Sequence, residues 1–194
     1  MSTVDGSLYW RAVGQLRFDR RAGLRGLERC FSEGQAPDGL DGPLRGRLVA
    51  TTIGHGTDGV FEAMARGWLP WQGKTFAGGD GEGRNLFTTG AQRMMRVTLP
   101  NYQDVRDEGG GQFSAFRFLT SVGPSALDPG VDVLRIDYRD VAENPAWPVR
   151  QVLDELVTVG PRLYLGQALL LWRGSLRRAA WFSLEGKDIG DDDH

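Results

Sequence analysis

The chain has 194 residues, of which 40% are hydrophobic and 25% are charged, and its formal net charge is -2. This composition excludes a disordered or membrane-spanning chain, and the near balance of charge gives no net field to attract nucleic acid or an acidic membrane. The first residues lack the basic start and apolar core of a signal peptide, and the single cysteine, Cys30, excludes an internal disulfide. We therefore expect a cytoplasmic protein that binds neither nucleic acid nor membranes.

The first third of the chain carries helical patterns. Leu24, Leu27 and Phe31 recur at helical spacing and predict a helix over Arg20–Glu33, within a helical N-terminal segment 1–35. A second apolar stripe predicts a helix over 57–69. The last residues, 186–194, form a polar tail. We find no repeat and no linker, so we expect one domain over 1–194.

The rest of the chain consists of short apolar segments separated by turns rich in Gly, Pro, Asn and Asp. Such segments predict strands, and they are Leu44–Ile53, Trp71–Phe76, Asn85–Thr89, Arg93–Leu99, Phe113–Val122, Val131–Tyr138, Gln151–Val159, Leu163–Trp172 and Arg178–Glu185. The apolar spacing of Gln151–Val159 fits a helix as well as a strand, and we favour a short helix near Ala146–Arg150 followed by a strand. Because helices cluster early and strands follow, the pattern favours an antiparallel sandwich or closed barrel over a parallel sheet.

Charged residues interrupt several of these apolar strands, and Arg135 with Asp137 is the clearest case. The ordinary explanation is that they face solvent from half-buried strands. The alternative is that some point into a cavity, where an arginine could bind a carboxylate head group. Lys74 stands out because the chain has only two lysines and Lys187 lies in the tail.

Aromatic residues are plentiful, and a subset could line an apolar pocket rather than an ordinary core. The candidate ligand-binding residues are Trp71, Lys74, Phe76, Phe116, Phe118, Arg135, Tyr164 and Trp181.

Recognised catalytic and metal-binding patterns are missing from the sequence. The histidines are His55 and the terminal His194, there is no Gly-x-Ser-x-Gly segment, and no Cys/His spacing suits a metal. We therefore expect neither a metal nor an organic cofactor. If the protein is an enzyme, Asp137 or Glu155 would serve as acid or base, with the phenol of Tyr138 or Tyr164 as a hydrogen-bond donor.

Two parts of the chain carry a resemblance to a known family. Trp68–Phe76, with its Trp-x-Gly-Lys-x-Phe pattern before a Gly-rich turn, resembles the entry segment of lipocalin-like bacterial barrel proteins. Leu153–Val159, Pro161–Gly166 and Ala179–Leu184 are similar to the closing strands of the same proteins. The resemblance implies a mainly β, antiparallel, lipocalin-like (calycin-type) barrel of about eight strands with one or two short helices and a cavity for a lipophilic ligand.

These observations lead to a primary functional hypothesis and two alternatives. The first is binding of a small lipophilic molecule in the barrel cavity. The second, also implied by relatives of this architecture, is a cofactor-independent cyclase, isomerase or hydratase that acts on a terpenoid- or polyketide-like substrate. The third is an interaction module that contacts another protein, although the sequence carries no coiled-coil or edge-strand signal for it, and the oligomeric state stays open.

Overall fold

A computed structural model describes residues 6–52, 71–79 and 81–186. It contains three α-helices, α1 (Ser7–Gln15), α2 (Arg20–Ser32) and α3 (Gly90–Thr98), and a short 3-10 helix, Val149–Gln151. The strands are β1 (Gly42–Thr51), β2 (Trp71–Ala77), β3 (Glu82–Thr88), β4 (Arg106–Gly109), β5 (Gln112–Pro124), β6 (Asp132–Asp137), β7 (Val152–Gly160), β8 (Leu163–Trp172) and β9 (Ser175–Gly186). The helix predicted over 57–69 and His55 lie outside the described residues.

The strands form a closed antiparallel barrel. Their order is β3-β2-β1-β9-β8-β7-β6-β5-β4, and an additional pairing of β3 with β5 closes the ring. Eight strands therefore make the barrel, and β4 extends it as one extra strand that pairs with the start of β5. The mainly β antiparallel barrel expected from the sequence is confirmed.

Alternation along the strands divides the apolar residues between two faces of the barrel wall. One buried cluster includes residues of α1 and α2, such as Tyr9 and Phe31, together with Val157 and Trp181 of the strands, so this cluster lies outside the barrel beneath the helices. A second buried cluster lies in the barrel interior. Its members are Leu44, Phe76, Phe118, Leu134, Ile136, Tyr138, Leu156, Ala168, Ala180, Phe182 and Leu184.

The secondary structure departs from the sequence prediction in three places. Strand β4 lies in a segment for which no strand is predicted. The strand predicted over Arg93–Leu99 is wrong, because this segment lies mostly in helix α3. Helix α1 is a further difference: within the helical N-terminal segment expected over 1–35, the apolar spacing predicts a helix only over Arg20–Glu33. Helix α1 is stabilised by tertiary packing, with Tyr9 and Ala12 buried one turn apart against the outer cluster.

Two glycines of the barrel wall allow aromatic rings to lie directly over the backbone. A Cβ added at Gly166 would meet the ring of Phe182 at 2.2 Å, and one added at Gly83 would meet the ring of Phe118 at 2.3 Å. Since large rings of this kind fill the interior, the glycines determine where the rings can sit.

We predict that Gly166→Ala destabilises the protein by about 1–3 kcal/mol, because the added methyl group displaces the Phe182 ring in a close-packed interior. The matched control is Gly123→Ala in β5, where a Cβ would meet only the flexible end of Arg135 at 3.8 Å. Urea unfolding of both variants checks this, and equal stability of the two would contradict it.

Candidate functional site

One end of the barrel holds a cavity of about 410 Å³ with mainly apolar walls. Its apolar and aromatic lining consists of Trp71, Phe87, Ala91, Met94, Met95, Leu99, Phe116, Trp147, Pro148, Val149, Val152 and Phe182. Lys74, Asn85, Thr98, Tyr138 and Asp154 supply its polar groups. An apolar volume of this size with a few convergent polar groups is typical of a small-molecule site.

Helix α3 covers part of this cavity. Ala91, Met94, Met95 and Thr98 all line it, and their spacing of three, four and seven residues places them on one face of the helix. The opposite side of α3 is exposed, with Val97 79% accessible. Another side of the cavity is formed by Trp147 and Pro148, which precede the 3-10 helix, and by Val149, its first residue.

The chain that follows α3 is fixed to the barrel by a buried arginine. The guanidinium of Arg84 in β3 binds both carboxylate oxygens of Asp104, at 3.0 and 2.9 Å, and also donates to the Asp104 carbonyl at 2.6 Å. Its Nε donates to Ser114 Oγ at 3.0 Å. Two N–H groups of one guanidinium bind the two oxygens of one carboxylate, which fixes the relative orientation of both groups. The contact therefore holds the chain after α3 in one position on β3 and β5.

The polar end of the cavity is built around the ammonium group of Lys74. Its Nζ donates to Tyr138 OH at 2.5 Å, to Asn85 Oδ1 at 2.8 Å and to Asp154 Oδ2 at 2.8 Å. Lys74 retains 2% of its accessible surface, and Asn85, Tyr138 and Asp154 retain 7%, 3% and 4%. An ammonium has three N–H donors, so all of them are used within the protein.

The partners of Lys74 also bind one another. Tyr138 OH lies 3.0 Å from Asp154 Oδ2, to which it donates, and accepts from Asn85 Nδ2 at 3.0 Å. The indole Nε1 of Trp71 donates to Asn85 Oδ1 at 3.2 Å. Because each donor has an acceptor, this cluster forms a connected network rather than a set of isolated polar groups.

Burial controls the ionisation of the network. Desolvation lowers the pKa of Lys74, and the neighbouring Asp154 carboxylate opposes that shift. Desolvation, reinforced by the same carboxylate, raises the pKa of Tyr138 well above its usual value, so this phenol stays protonated and able to donate. The rings of Phe118, Tyr138, Phe182 and Trp71 lie 5.2 to 5.7 Å from Nζ and add cation–π stabilisation.

The structure brings some of the sequence-predicted site residues together. Trp71, Lys74, Phe116 and Tyr138 line the cavity. Phe76 and Phe118 belong to the interior cluster next to it without lining it, and the partly buried Tyr164 packs against that cluster.

The remaining predicted residues lie elsewhere. Trp181 belongs to the outer cluster, with its ring 5.6 Å from that of Phe31. Arg135 and Asp137 alternate with the interior residues Leu134, Ile136 and Tyr138, so they are on the outer face of β6. The Asp137 carboxylate accepts from the backbone of Arg139 at 2.7 Å.

Glu155 is fully buried, but in a separate network on the outer face of β7. Its carboxylate accepts from Ser125 Oγ, from the backbone N–H of Ala126 and from Gln167 Nε2, each at 2.7 Å. Arg178 in turn donates to Gln167 Oε1 at 2.6 Å. These contacts tie the turn after β5 to β7 and β8, which is a structural role.

Sequence reasoning missed Asp154 and Asn85. The signal for Asp154 was present in the alternation of β7, because Asp154 shares its face with Leu156 of the interior cluster, whereas Glu155 has the opposite face. Asn85 gave no comparable signal. Neither its residue type nor its neighbours distinguish it from a solvent-facing strand residue.

A solved structure with a similar fold is the crystal structure of a protein from Thermomonospora curvata. The TM-score is 0.52 with 16% sequence identity, and the match covers 92% of this chain and 99% of that chain. At this identity the similarity shows the fold alone, a closed antiparallel barrel of eight strands. No protein-family model and no curated protein matches the chain.

Two features of the described residues bear on membranes and metals. None of the helices there is long and apolar enough to cross a membrane. Within the same ranges, no group of three or more His, Cys, Asp or Glu side chains is placed to hold a metal ion.

We predict that Lys74→Met destabilises the protein by about 3–5 kcal/mol, because it leaves the Asp154 carboxylate buried without its counter-charge. The double variant Lys74→Met/Asp154→Leu removes both charges and should recover most of that loss. Denaturant unfolding of the two variants measures the difference. If the double variant is no more stable than the single one, the ion pair does not account for the cost.

Proposed function

We propose that the protein binds a small lipophilic molecule in the cavity at the end of the barrel. The observation that carries this proposal is an apolar cavity of about 410 Å³ with one buried polar cluster at its wall. A core without a binding role would be close-packed at this point, as the interior is where the ring of Phe118 lies over Gly83. Burial of apolar ligand surface supplies the binding free energy, at about 25 cal/mol per Å².

The walls suit a flexible or irregular hydrophobic ligand. Met94 and Met95 of α3 contribute unbranched, adaptable side chains, while Trp71, Phe87 and Phe116 contribute rigid aromatic surface.

We further propose that the chain acts as a single cytoplasmic domain. Nothing in the described wall needs a cofactor for this role.

A second candidate function is the cofactor-independent cyclase, isomerase or hydratase, and the arrangement of Asp154 and Tyr138 favours it. A carboxylate and a protonated phenol share a hydrogen bond at 3.0 Å in an apolar cavity, where proton transfer to a held substrate is feasible. In this second candidate function, Asp154 and Tyr138 serve as acid and base toward a terpenoid- or polyketide-like substrate, in place of Asp137 or Glu155.

Cavity filling tests the primary proposal. We predict that Met95→Trp lowers the affinity for the neutral fluorescent lipophile N-phenylnaphthylamine by at least about tenfold, since the larger side chain occupies ligand volume. Val97→Trp is the matched control, because Val97 is on the exposed face of the same helix. Fluorescence titration measures both. No binding by the unmodified protein, or equal binding by the two variants, would contradict the proposal.

The catalytic candidate has its own test. Incubation of the protein with terpenoid or polyketide extracts should yield products of unchanged mass, or of one added water, as judged by mass spectrometry. We predict that Tyr138→Phe abolishes this turnover while leaving N-phenylnaphthylamine binding in place, because only the hydroxyl is removed. Turnover that survives in this variant rules out the phenol, and no turnover with any extract rules out catalysis on these substrates.

A further inference from the structure

We infer that the ligand is an uncharged lipophilic alcohol or phenol, bound with its hydroxyl group against Asp154, and not a fatty acid or a lipophilic amine. This inference rests on the proposed function and assigns the chemistry of the ligand's polar end. Two observations carry it, namely the charge of the cavity wall and the hydrogen-bond state of the polar cluster.

The charge of the wall disfavours an ionised ligand. Among the described residues, the charged side chains that line the cavity are Lys74 and Asp154, which neutralise each other at 2.8 Å. A carboxylate ligand would add an anion beside Asp154 with no free cation to receive it. An ammonium ligand would add a cation beside Lys74. Burial of either charge without a partner is costly in an apolar site.

The donors at the polar end are already used. The three N–H groups of Lys74 are bound to Asn85, Tyr138 and Asp154, and Tyr138 donates to Asp154. The Thr98 hydroxyl donates to the Met94 carbonyl at 2.9 Å. A fatty-acid carboxylate needs several donors, and the described residues at this end of the cavity have none to give.

One hydrogen-bond acceptor at the polar end of the cavity is unpaired among the described residues. Asp154 Oδ1 is buried and has no hydrogen-bond partner among the described residues, whereas Oδ2 accepts from both Lys74 and Tyr138. The side chain of Asp154 is part of the cavity wall. A buried carboxylate oxygen without a donor is costly, so the cavity favours a ligand whose polar end donates a proton without carrying charge. A hydroxyl group meets both conditions.

Four compounds that share one hydrocarbon chain test this inference in titrations near neutral pH. They are farnesol, farnesoic acid, farnesylamine and the hydrocarbon farnesene. We expect farnesol to bind at least about tenfold more tightly than each of the other three. If farnesoate or farnesylamine binds as tightly as farnesol, the inference is wrong while the proposed function stands. If none of the four binds, the proposed function fails as well.

Reversal of selectivity provides a sharper test. Asp154→Asn leaves Lys74 as an uncompensated cation in the wall, so farnesoate should gain at least about tenfold in affinity relative to farnesol. The matched control is Asp128→Asn, the same chemical change at an exposed position in the turn between β5 and β6, which should keep the original preference. A preference unchanged in Asp154→Asn would overturn the inference.

Asp154→Asn leaves the buried Lys74 cation without its counter-charge, which can prevent this variant from folding. The double variant Lys74→Met/Asp154→Leu therefore provides an independent test. This variant has an apolar wall in place of the charge pair. It should bind farnesene and farnesol with affinities within about threefold of each other. A persistent tenfold advantage of farnesol in the folded double variant would show that Asp154 does not receive the hydroxyl group.

Discussion

The arrangement of the barrel end depends on one buried interaction, the contact of the Lys74 ammonium with the Asp154 carboxylate. A lysine that retains 2% of its surface cannot stay charged in an apolar interior without a counter-charge and acceptors for all of its protons. Asp154, Tyr138 and Asn85 meet that requirement from three different strands or strand ends, β7, β6 and β3. The interaction therefore specifies how these strands approach one another inside the barrel.

The same requirement explains why the cavity forms where it does. Aromatic rings surround the ammonium, and glycines such as Gly166 let Phe182 approach the wall closely, so the barrel is filled on one side of the cluster. On the other side, the interior is covered by α3 instead of being filled by strand side chains. The Arg84–Asp104 contact fixes the segment after α3, which keeps this cover in place over an apolar volume. The cavity thus follows from the positions of a few polar contacts within a mainly apolar fold.

The sequence predicts most of the barrel because strands of this kind alternate and end at turn residues. The bounds of β8, Leu163–Trp172, agree with the prediction, and the predicted helix over Arg20–Glu33 is observed as Arg20–Ser32. The sequence does not decide the secondary structure of Arg93–Leu99, since a short segment with Met94, Met95 and Val97 fits both a strand and a helix. Its conformation depends on the barrel opening that it covers, which is a tertiary feature.

The candidate site was less predictable than the fold. Lys74 stood out by its rarity and the aromatic residues by their number, but neither indicates which strand face points inward. Once the face of β7 is known from Leu156, Asp154 is inside and Glu155 outside, and the same reasoning places Asp137 outside. The hydrogen bonds of Asn85 with Lys74 and Trp71 cross the β2–β3 pair, whereas the one with Tyr138 joins residues 53 positions apart, so no local pattern encodes the whole network.

The most direct test of the central claim is a crystal structure of the protein grown with farnesol. We expect the hydrocarbon chain inside the cavity, between α3 and the rings of Trp71 and Phe116, with the ligand oxygen within hydrogen-bond distance of Asp154. Lys74 should keep its contacts with Asn85, Tyr138 and Asp154 in that complex. A barrel end filled by protein side chains, or farnesol bound only outside the barrel, would contradict the account.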